Sequence, residues 1–443
     1  MSEKVLDRFL NQSVDEYLSS PERDQDEEAS TPLPNSNIAM MLIDRKIDMV
    51  TPMVTPLTYE GLLDEVVGID TGFISVDVNT INPEDEPEEE EQKKSTNPFE
   101  QTPKTAEVVS LGVHAGDSLY AEVRDQHVEK FGSFLQNQAL ALRESHANFT
   151  NKEAKKDLQE IHQFVKQIPV FTQNLRSLTN HIHLAELIKA ESEKVSFREQ
   201  WQTERSMIEG EVCNDIMEEW ICSRYSPWKV LRLLCLQSLC TGGLKSNRYD
   251  AFRSLIVQSY GYEFLMLLHE LEKSGLIRRK ENFFIDSNSS SFASLRKSLI
   301  LINAEVDTVE PDDVSYVSSG YAPLTVRLVQ SAVQGWSNKK DIVEQLPGRL
   351  LDIQQCHPPL DMNSTLKTQN PPVTTDSLGS YAKAARTESS NTKPILFVVF
   401  LGGVTFMEIA ALRFLSKRPS FPFNIIIITT KIVNGRSLLQ SLG

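Results

Sequence analysis

The residues best suited to bind a charged ligand lie in a short turn near the carboxyl end of the chain. Residues 400–412 read FLGGVTFMEIAAL, a strand end followed by two glycines and the start of a helix. Backbone N–H groups at such a turn can face an anion. The turn lacks the third glycine of a dinucleotide-binding fingerprint and the lysine of a Walker loop. Two interpretations stay open: a nucleotide or anion site at Gly402 to Thr405, or a tight structural turn in which Thr405 and Glu408 form a capping box.

A second group of charged residues follows an apolar run near the amino end. Asp44, Arg45 and Asp48 come directly after it, and Asp64 and Glu65 lie within the next twenty residues. The carboxyl end of a buried strand is where α/β enzymes place catalytic groups. No nucleophile or histidine lies nearby in sequence to complete acid–base chemistry. The pattern therefore favours an Asp–Arg pair that organises the loop before a helix at 58–66.

Metal-binding residues do not fall into a ligand pattern. His181 and His183 are two apart on a predicted helix, so their side chains diverge by roughly 200°. Cys356 and His357 stand alone in a polar segment, and the five cysteines contain no C-x-x-C pair. Neither zinc nor a disulfide framework is expected. We predict no cofactor and no metal.

Composition excludes several classes of protein. The 443 residues carry a formal charge of −16, of which the acidic run at 84–91 supplies seven carboxylates. An acidic chain of this kind is a poor match for nucleic acid. The longest apolar run, Ile395 to Leu401, is far shorter than a membrane span. The odd cysteine count and the lack of a signal-like apolar core at the amino end predict a protein of the reducing cytosol.

Three short apolar runs predict one parallel sheet built from both ends of the chain. Runs 38–44, 395–401 and 424–430 have the β-branched, doubly apolar character of buried strands, and a helix from Met407 to Leu415 joins the last two. Since no single strand forms a domain, the first run must join the other two. The sequence therefore predicts an α/β domain interrupted by a large insertion.

The insertion has the periodicity of helices. Residues 118–147 and 152–190 predict a long αα-hairpin, and an amphipathic helix at 3–19 precedes the first strand. Shorter helices are predicted at 211–223, 227–241, 247–259, 261–275 and 323–334. The predicted division is 1–80 and 394–443 for the two parts of the α/β domain, 81–105 for an acidic disordered loop, 106–350 for the helical domain, with its hairpin at 118–190 and a compact lobe at 211–350, and 351–393 for a flexible loop.

One helix of the lobe carries two apolar stripes. In YEFLMLLHELEK, from Tyr262, one stripe suits a core, whereas Tyr262, Leu265 and Met266 form another. A helix at the surface of a lobe needs one apolar face. The second stripe is covered by a neighbouring helix, or it docks a partner.

Several segments together resemble the SM family of SNARE-binding proteins. These are 42–65 (LIDRKIDMVTPMVTPLTYEGLLDE), 315–330 (SYVSSGYAPLTVRLVQ) and 399–416 (VFLGGVTFMEIAALRFLS). In their detailed sequence these segments, together with 181–188, 230–244 and 259–277, are similar to the vacuolar protein sorting-associated protein 33 branch of that family. The resemblance runs from about residue 36 to the carboxyl end and omits the loops at 81–105 and 353–393.

The resemblance implies a function without catalysis. Members of this branch serve as subunits of the HOPS and CORVET tethering complexes, in which they promote SNARE assembly at late endosomes and at lysosomes or vacuoles. It implies SNARE helices and a helical scaffold subunit as partners, with membrane association only through the complex. It also implies an amino-terminal α/β domain that forms one wall of the SNARE cleft, and here only one predicted helix precedes the strand at 38. We therefore expect the chain to lack that domain.

Two surfaces are expected to carry these interactions. Tyr262 and Leu265, with Arg253 on the preceding helix, are expected to dock the scaffold subunit. The hairpin is expected to engage SNARE helices, because an extended helix calls for an extended surface; the alternative is a solvated helix pair that only props the lobe. The candidate SNARE-binding residues near the hairpin tip are Gln136, Arg143, Glu144, Lys155, Lys156, Gln159 and Gln163.

Overall fold

The computed structural model describes residues 38–77, 108–151, 158–280, 292–335, 340–348, 350–351 and 393–442, with the backbone alone for 38, 77, 108, 145–151, 158–165, 167 and 340–341. The predicted helix at 3–19, the acidic segment at 81–105 and residues 353–392 lie outside these ranges.

The predicted sheet consists of three of the described strands. All the strands in the described chain are β1 Ile38–Asp44, β2 Phe73–Asp77, β3 Val108–Gly112, β4 Leu244–Lys245, β5 Arg279–Lys280, β6 Ile395–Leu401 and β7 Asn424–Thr429. The predicted sheet has the order β1-β6-β7, and both of its strand pairings are parallel. The prediction that the two ends of the chain share one sheet is confirmed.

Helices make up most of the remaining described chain. They are α1 Tyr59–Val66, α2 Ser118–Val123, α3 Val128–Asn151, α4 Leu158–Ser192, α5 Val195–Glu209, α6 Asn214–Cys222, α7 Pro227–Thr241, α8 Ser246–Tyr260, α9 Glu263–Lys273, α10 Phe292–Ser298, α11 Leu324–Gln334, α12 Lys340–Gln345, α13 Phe406–Lys417 and α14 Gly435–Gln440. The structure therefore has a sheet made from both chain ends with a helical insertion between them, and this is the fold class that the sequence predicted.

The first helix of the hairpin begins later than predicted. Residues 124–127 separate α2 from α3, because their backbone bonds to the first residues of α1 instead of continuing a helix. The N–H groups of Tyr59 and Glu60 donate to the carbonyls of Gln126 and Arg124, at 2.9 and 3.0 Å. Non-local pairing of this kind leaves no trace in helical periodicity. Helix α5 and the antiparallel β2–β3 pair were likewise not predicted. The domain bounds stay a prediction.

Two hydrophobic clusters hold the described chain together. The larger one joins the sheet to the helical lobe, so that Ile43 and Phe400 share a core with Leu233 and Val329. The smaller one lies at the base of the hairpin and contains Tyr59. In it, residues from the start of α3 lie with residues from the end of α4, so the two long helices run antiparallel.

The two faces of the sheet differ in how far their side chains are exposed to solvent. Leu396, Val398 and Phe400 are buried on the face toward the helical lobe. On the other face, Met40 of β1 and Ile428 of β7 are among the exposed large apolar side chains. The prediction of strands buried on both faces is therefore wrong for the described residues.

Candidate interaction surfaces

The charged residues after β1 form a buried structural joint. The Arg45 guanidinium donates to Glu408 Oε2 at 2.7 Å and to the Asp48 carbonyl. The Thr325 hydroxyl donates to Glu408 Oε1 at 2.6 Å. The joint therefore fastens the turn after β1, helix α11 of the insertion and helix α13 to one another. The interpretation of Asp48 and Arg45 as loop organisers, rather than as catalysts, agrees with this geometry.

Burial and pairing set the charges in this joint. Burial would lower the pKa of Arg45, but the neighbouring Glu408 and Asp48 carboxylates outweigh burial and raise that pKa. Burial would raise the pKa of Glu408, yet the Arg45 charge and its hydrogen bond hold that pKa below its ordinary value. Burial dominates at Asp48 and raises its pKa. Arg45 and Glu408 are therefore a charged pair at neutral pH.

The glycine turn is filled by the protein itself. The N–H groups of Gly402, Val404 and Thr405 donate to the Thr430 hydroxyl, the Lys431 carbonyl and Glu408. A Cβ on Gly402 would lie 2.9 Å from the Cβ of Arg45, so this glycine allows two backbone segments to approach. Thr405 and Glu408 form the predicted capping box. The adjacent cleft measures about 20 Å³, enough for roughly one water molecule. These contacts favour the structural turn over a nucleotide or anion site.

A polar cluster positions the base of the hairpin. Tyr59 Oη lies 2.9 Å from His181 Nδ1, and His181 Nε2 lies 3.3 Å from Asp117 Oδ2. Ser177 also donates to Asp117, at 2.6 Å. The first of the two predicted helical histidines thus fixes α4 against α1 and α2. His183, on another face, is 3.5 Å from Glu186.

Beyond its base, α4 presents a row of apolar residues that is only partly covered. The row repeats at alternating spacings of three and four, and we call it the hairpin seam; its residues are Ile168, Phe171, Leu175, Leu178, Ile182 and Ala185. Leu178 and Ala185 are buried in the smaller cluster with Phe131 of α3. Toward the tip, Ile168 and Leu175 are 43% and 46% exposed. The seam therefore emerges from its partner helix into solvent, as a coiled-coil stripe without its second strand would do.

The predicted SNARE-binding residues fall into two groups. Gln136, Arg143 and Glu144 are exposed on α3. Lys155 and Lys156 lie outside the described residues. Gln159 and Gln163 lie on α4, in the part whose backbone alone is described. Their role stays a prediction, and the sequence analysis did not select the apolar seam beside them.

The predicted scaffold-docking residues lie at the surface of the lobe. Tyr262 precedes α9 and is 82% exposed, Met266 is also exposed, and Leu265 is half-buried. Arg253 is exposed on α8. In the described chain, therefore, no neighbouring helix buries the second stripe. The buried stripe of the same helix comprises Leu267, Leu268 and Leu271.

A buried polar cluster escaped the sequence analysis. Arg232 donates to the Met53 carbonyl at 2.7 Å and pairs with Glu65 at 2.5 Å. Glu204 accepts from the backbone and hydroxyl of Thr55, at 2.7 and 2.9 Å. One available signal was an arginine inside the apolar run VLRLLCL, because an unpaired buried charge is costly. The cluster fixes α5 and α7 to the loop between β1 and α1.

The described ranges contain no group of three or more histidine, cysteine, aspartate or glutamate side chains that could hold a metal ion. Their helices are also either too short or too polar to cross a bilayer.

A parallel sheet made from both chain ends, an inserted helical lobe and a projecting helix pair define a discontinuous α/β protein. The model of the Sec1 family matches residues 2–441. The vacuolar protein-sorting-associated protein 33 homolog of Arabidopsis thaliana is 33% identical over 406 residues, which are 91% of this chain and 61% of that relative. Vacuolar protein sorting-associated protein 33A of Rattus norvegicus is 34% identical over 407 residues, with the same two coverages.

Solved structures with the same fold lie at lower identity. A complex of Unc18 with syntaxin 1 from Monosiga brevicollis superposes with a TM-score of 0.57 at 14% identity, over 99% of this chain and 64% of that one. The SM protein Vps45 gives a TM-score of 0.50 at 14% identity, over 98% and 61%. The chain belongs to the Sec1 family, as its resemblance to SM proteins predicted. It spans about three fifths of the length of the curated relatives above.

Proposed function

We propose that the chain binds SNARE helices along its hairpin and promotes their assembly into bundles during membrane fusion, without catalysing a reaction. The observation that carries the proposal is the hairpin seam, which leaves Ile168 and Leu175 uncovered. Membership of the Sec1 family supports it. A structural neighbour was solved in complex with syntaxin 1, which supports it further.

The seam suits a helix with a heptad repeat. Apolar residues spaced by three and four along one helix form a stripe that packs against the matching stripe of another. A SNARE motif is such a helix, because its bundle is a coiled coil. Gln136 and Arg143 are exposed on the neighbouring helix, where they suit the polar rim of the contact. Apolar contact would supply affinity, and the polar rim would supply register.

Paired substitutions test the seam. We expect Ile168→Asp with Leu175→Asp to weaken binding of a soluble SNARE bundle at least tenfold, since each carboxylate would be desolvated in the contact. The matched control is Val170→Asp with Gln173→Asp, which adds the same charge at exposed positions away from the seam on α4. Fluorescence anisotropy measures affinity, and circular dichroism checks folding. Equal affinities of the two double variants would contradict the proposal.

A second experiment separates electrostatic steering from seam contact. Reversing Lys155 and Lys156 to Glu should slow SNARE association and weaken its salt dependence, because rim charges act mainly on the association rate. Stopped-flow mixing at low and physiological salt measures this rate. Unchanged rates at both salt concentrations would remove the two lysines from the contact while leaving the seam open to its own test.

The lobe supplies a second surface for a different partner. Tyr262, Leu265 and Arg253 would dock the helical scaffold subunit of a HOPS or CORVET tether. Tyr262 and Arg253 are both exposed, and aromatic residues and arginines are the types enriched in interface hot spots. Through that complex the chain would act peripherally at late endosomes and lysosomes or vacuoles. The names of the relatives, which are vacuolar protein sorting factors, support this location.

A further inference from the structure

The short β4–β5 pair of the helical lobe carries an excess of positive charge. Residues 242–249 contain two cations and residues 273–280 contain four, and neither segment contains a carboxylate. The chain as a whole has a formal charge of −16. Charges farther apart than about 10 Å are largely screened at ~0.1 M salt. The local positive charge, and not the net negative charge, therefore decides what this surface attracts.

The parallel pairing of β4 with β5 brings three of these cations together. Lys245 and Lys280 are partners in register, so their side chains point to the same side of strands that lie about 4.8 Å apart. Arg278 immediately precedes β5, and its carbonyl accepts a hydrogen bond from the Leu244 N–H at 2.8 Å. All three cationic side chains are exposed. We call Lys245, Arg278 and Lys280 the basic ribbon.

Pairing within the fold leaves the charge of the basic ribbon uncompensated. Arg279, which alternates to the other side of β5, lies over the Tyr249 ring at 4.5 Å and pairs with Glu272 at 2.8 Å. Lys280 donates to the Thr241 carbonyl at 2.7 Å, a bond to a neutral group. Among the residues that the structure describes, no carboxylate forms an ion pair with the basic ribbon, although neighbouring cations have such partners. The ribbon is therefore suited to an anionic partner.

Helix α9 makes nucleic acid a poor match for that partner. The short turn Gly261–Tyr262 joins α8 to α9, as in a helix-turn-helix. In DNA-binding proteins the second helix of this motif enters the major groove. Here the second helix carries Glu263, Glu270 and Glu272 against one lysine, so phosphate groups would repel it. A planar array of anionic headgroups can contact the ribbon without contacting α9.

We propose that the basic ribbon contacts the anionic lipid headgroups of a membrane. Each lysine or arginine near an anionic membrane surface strengthens binding about fivefold, so three strengthen it on the order of a hundredfold. A gain of this size does not recruit the chain by itself; it orients the lobe on a membrane where a complex already holds the chain. The contact uses neither the hairpin seam nor Tyr262, so vesicles that lack SNAREs test it independently of the proposed function.

Vesicle co-sedimentation of the full chain tests the contact. The vesicles contain phosphatidylcholine and phosphatidylserine in a ratio of about two to one, or phosphatidylcholine alone. The native chain should bind the anionic vesicles at least tenfold more strongly than the neutral ones. The neutralised chain, with Lys245→Gln, Arg278→Gln and Lys280→Gln, should lose at least tenfold of that binding. Equal binding of the native and neutralised chains to the anionic vesicles would overturn the proposal.

The matched control removes the same charge elsewhere. Its substitutions, at exposed positions in and between α4 and α5, are Lys189→Gln, Lys194→Gln and Arg198→Gln, and it should bind as the native chain does. Circular dichroism checks that each variant folds. Because Lys280 also bonds the end of α7, Lys245→Gln alone provides a milder test and should weaken binding about fivefold. An equal loss of binding in the matched control would assign the effect to net charge and overturn the proposal.

Competitors identify the source of the negative charge. Raising the ionic strength from low to physiological should weaken vesicle binding, because salt screens the attraction. Inorganic phosphate at constant ionic strength should leave vesicle binding unchanged; displacement would show a site for a single phosphate and overturn the membrane contact. Tighter binding to duplex DNA than to the anionic vesicles, lost in the neutralised chain, would overturn it in favour of nucleic acid.

Discussion

The joint around Arg45 supports a quantitative prediction about Arg45→Met. Arg45 is 4% exposed, and its guanidinium lies 2.7 Å from the Glu408 carboxylate and 3.6 Å from the Asp48 carboxylate. Methionine keeps most of the apolar stem and removes the charge. Glu408 would keep its bonds from Thr325 and Thr405 but lose its counter-ion. We expect the substitution to destabilise the fold, because breaking a buried pair leaves one charge uncompensated.

Two arguments bound the size of this effect. Removing one partner of a buried pair typically costs about 3–5 kcal/mol. Glu408 can also take up a proton instead of remaining charged. Protonating a carboxyl of ordinary pKa at pH 7 costs roughly 3–4 kcal/mol, at about 1.4 kcal/mol per pH unit. That figure limits the penalty from Glu408, so we predict a loss of about 3 kcal/mol at pH 7.

The pH dependence of the loss tests its cause. In the native protein the pKa of Glu408 lies below its unfolded value. Its pairing therefore stabilises the fold above the unfolded pKa and is lost as the pH falls through the folded pKa. Without Arg45, burial raises the pKa of Glu408, and the penalty applies only at pH values where the group would be ionised in the unfolded chain. The difference between native protein and Arg45→Met should therefore shrink between pH 7 and about 4.5.

Denaturant unfolding at pH 7 and pH 5 measures both effects. The set comprises the native chain, Arg45→Met, Glu408→Gln and the double variant, with Lys46→Met as the control at an exposed neighbouring position. The double variant should cost less than the sum of the single ones, because the two residues interact directly. A cost below about 1 kcal/mol for Arg45→Met, or one that does not change with pH, would refute this account.

Three further predictions concern other described residues. Burial lowers the pKa of His127 to about 4. Below about pH 6.5 the unfolded chain therefore binds a proton at this histidine that the folded chain does not, so the free energy of unfolding should fall by roughly 3 kcal/mol between pH 6.5 and pH 4. Denaturant midpoints of His127→Gln should lack this pH dependence. Gly402→Ala should lower the melting temperature more than Gly68→Ala, because both glycines have positive φ but only a Cβ at Gly402 meets Arg45, at 2.9 Å. Tyr262→Asp should leave the melting temperature unchanged and reduce co-precipitation of the tether scaffold subunit, whereas Gln202→Asp, at an exposed position on helix α5, should preserve it.

Sequence patterns predicted the sheet because its signal is local. Each of the strands β1, β6 and β7 is a short apolar run, and burial of such a run requires partners. Helix α13 was predictable for the same reason, since Thr405 and Glu408 carry its capping box within four residues. The 350 residues between the end of β1 and the start of β6 did not obscure the pairing, because the prediction rested on composition and not on proximity.

Features that depend on distant contacts were not predictable. The break between α2 and α3 arises where the backbone carbonyls of Arg124 and Gln126 accept hydrogen bonds from the first two residues of α1. The exposure of Leu175 was equally hidden, since a heptad residue has the same identity whether its stripe is covered or open. The sequence analysis therefore predicted polar and charged residues near the hairpin tip as the SNARE contact, and it did not select the partly exposed apolar stripe of α4 that the structure shows.

The position of the three resemblance segments affects where function should be sought. Arg45 comes from the first segment, Thr325 from the second and Glu408 from the third, and their side chains meet in one buried joint. These segments therefore mark how the insertion is fastened to the α/β domain, and their recognition carries no information about a partner's footprint. The two surfaces proposed to bind partners, the hairpin seam and the stripe at Tyr262, lie outside the joint. Substitutions in the joint should alter stability first and binding only through it, whereas substitutions on those two surfaces should alter binding alone.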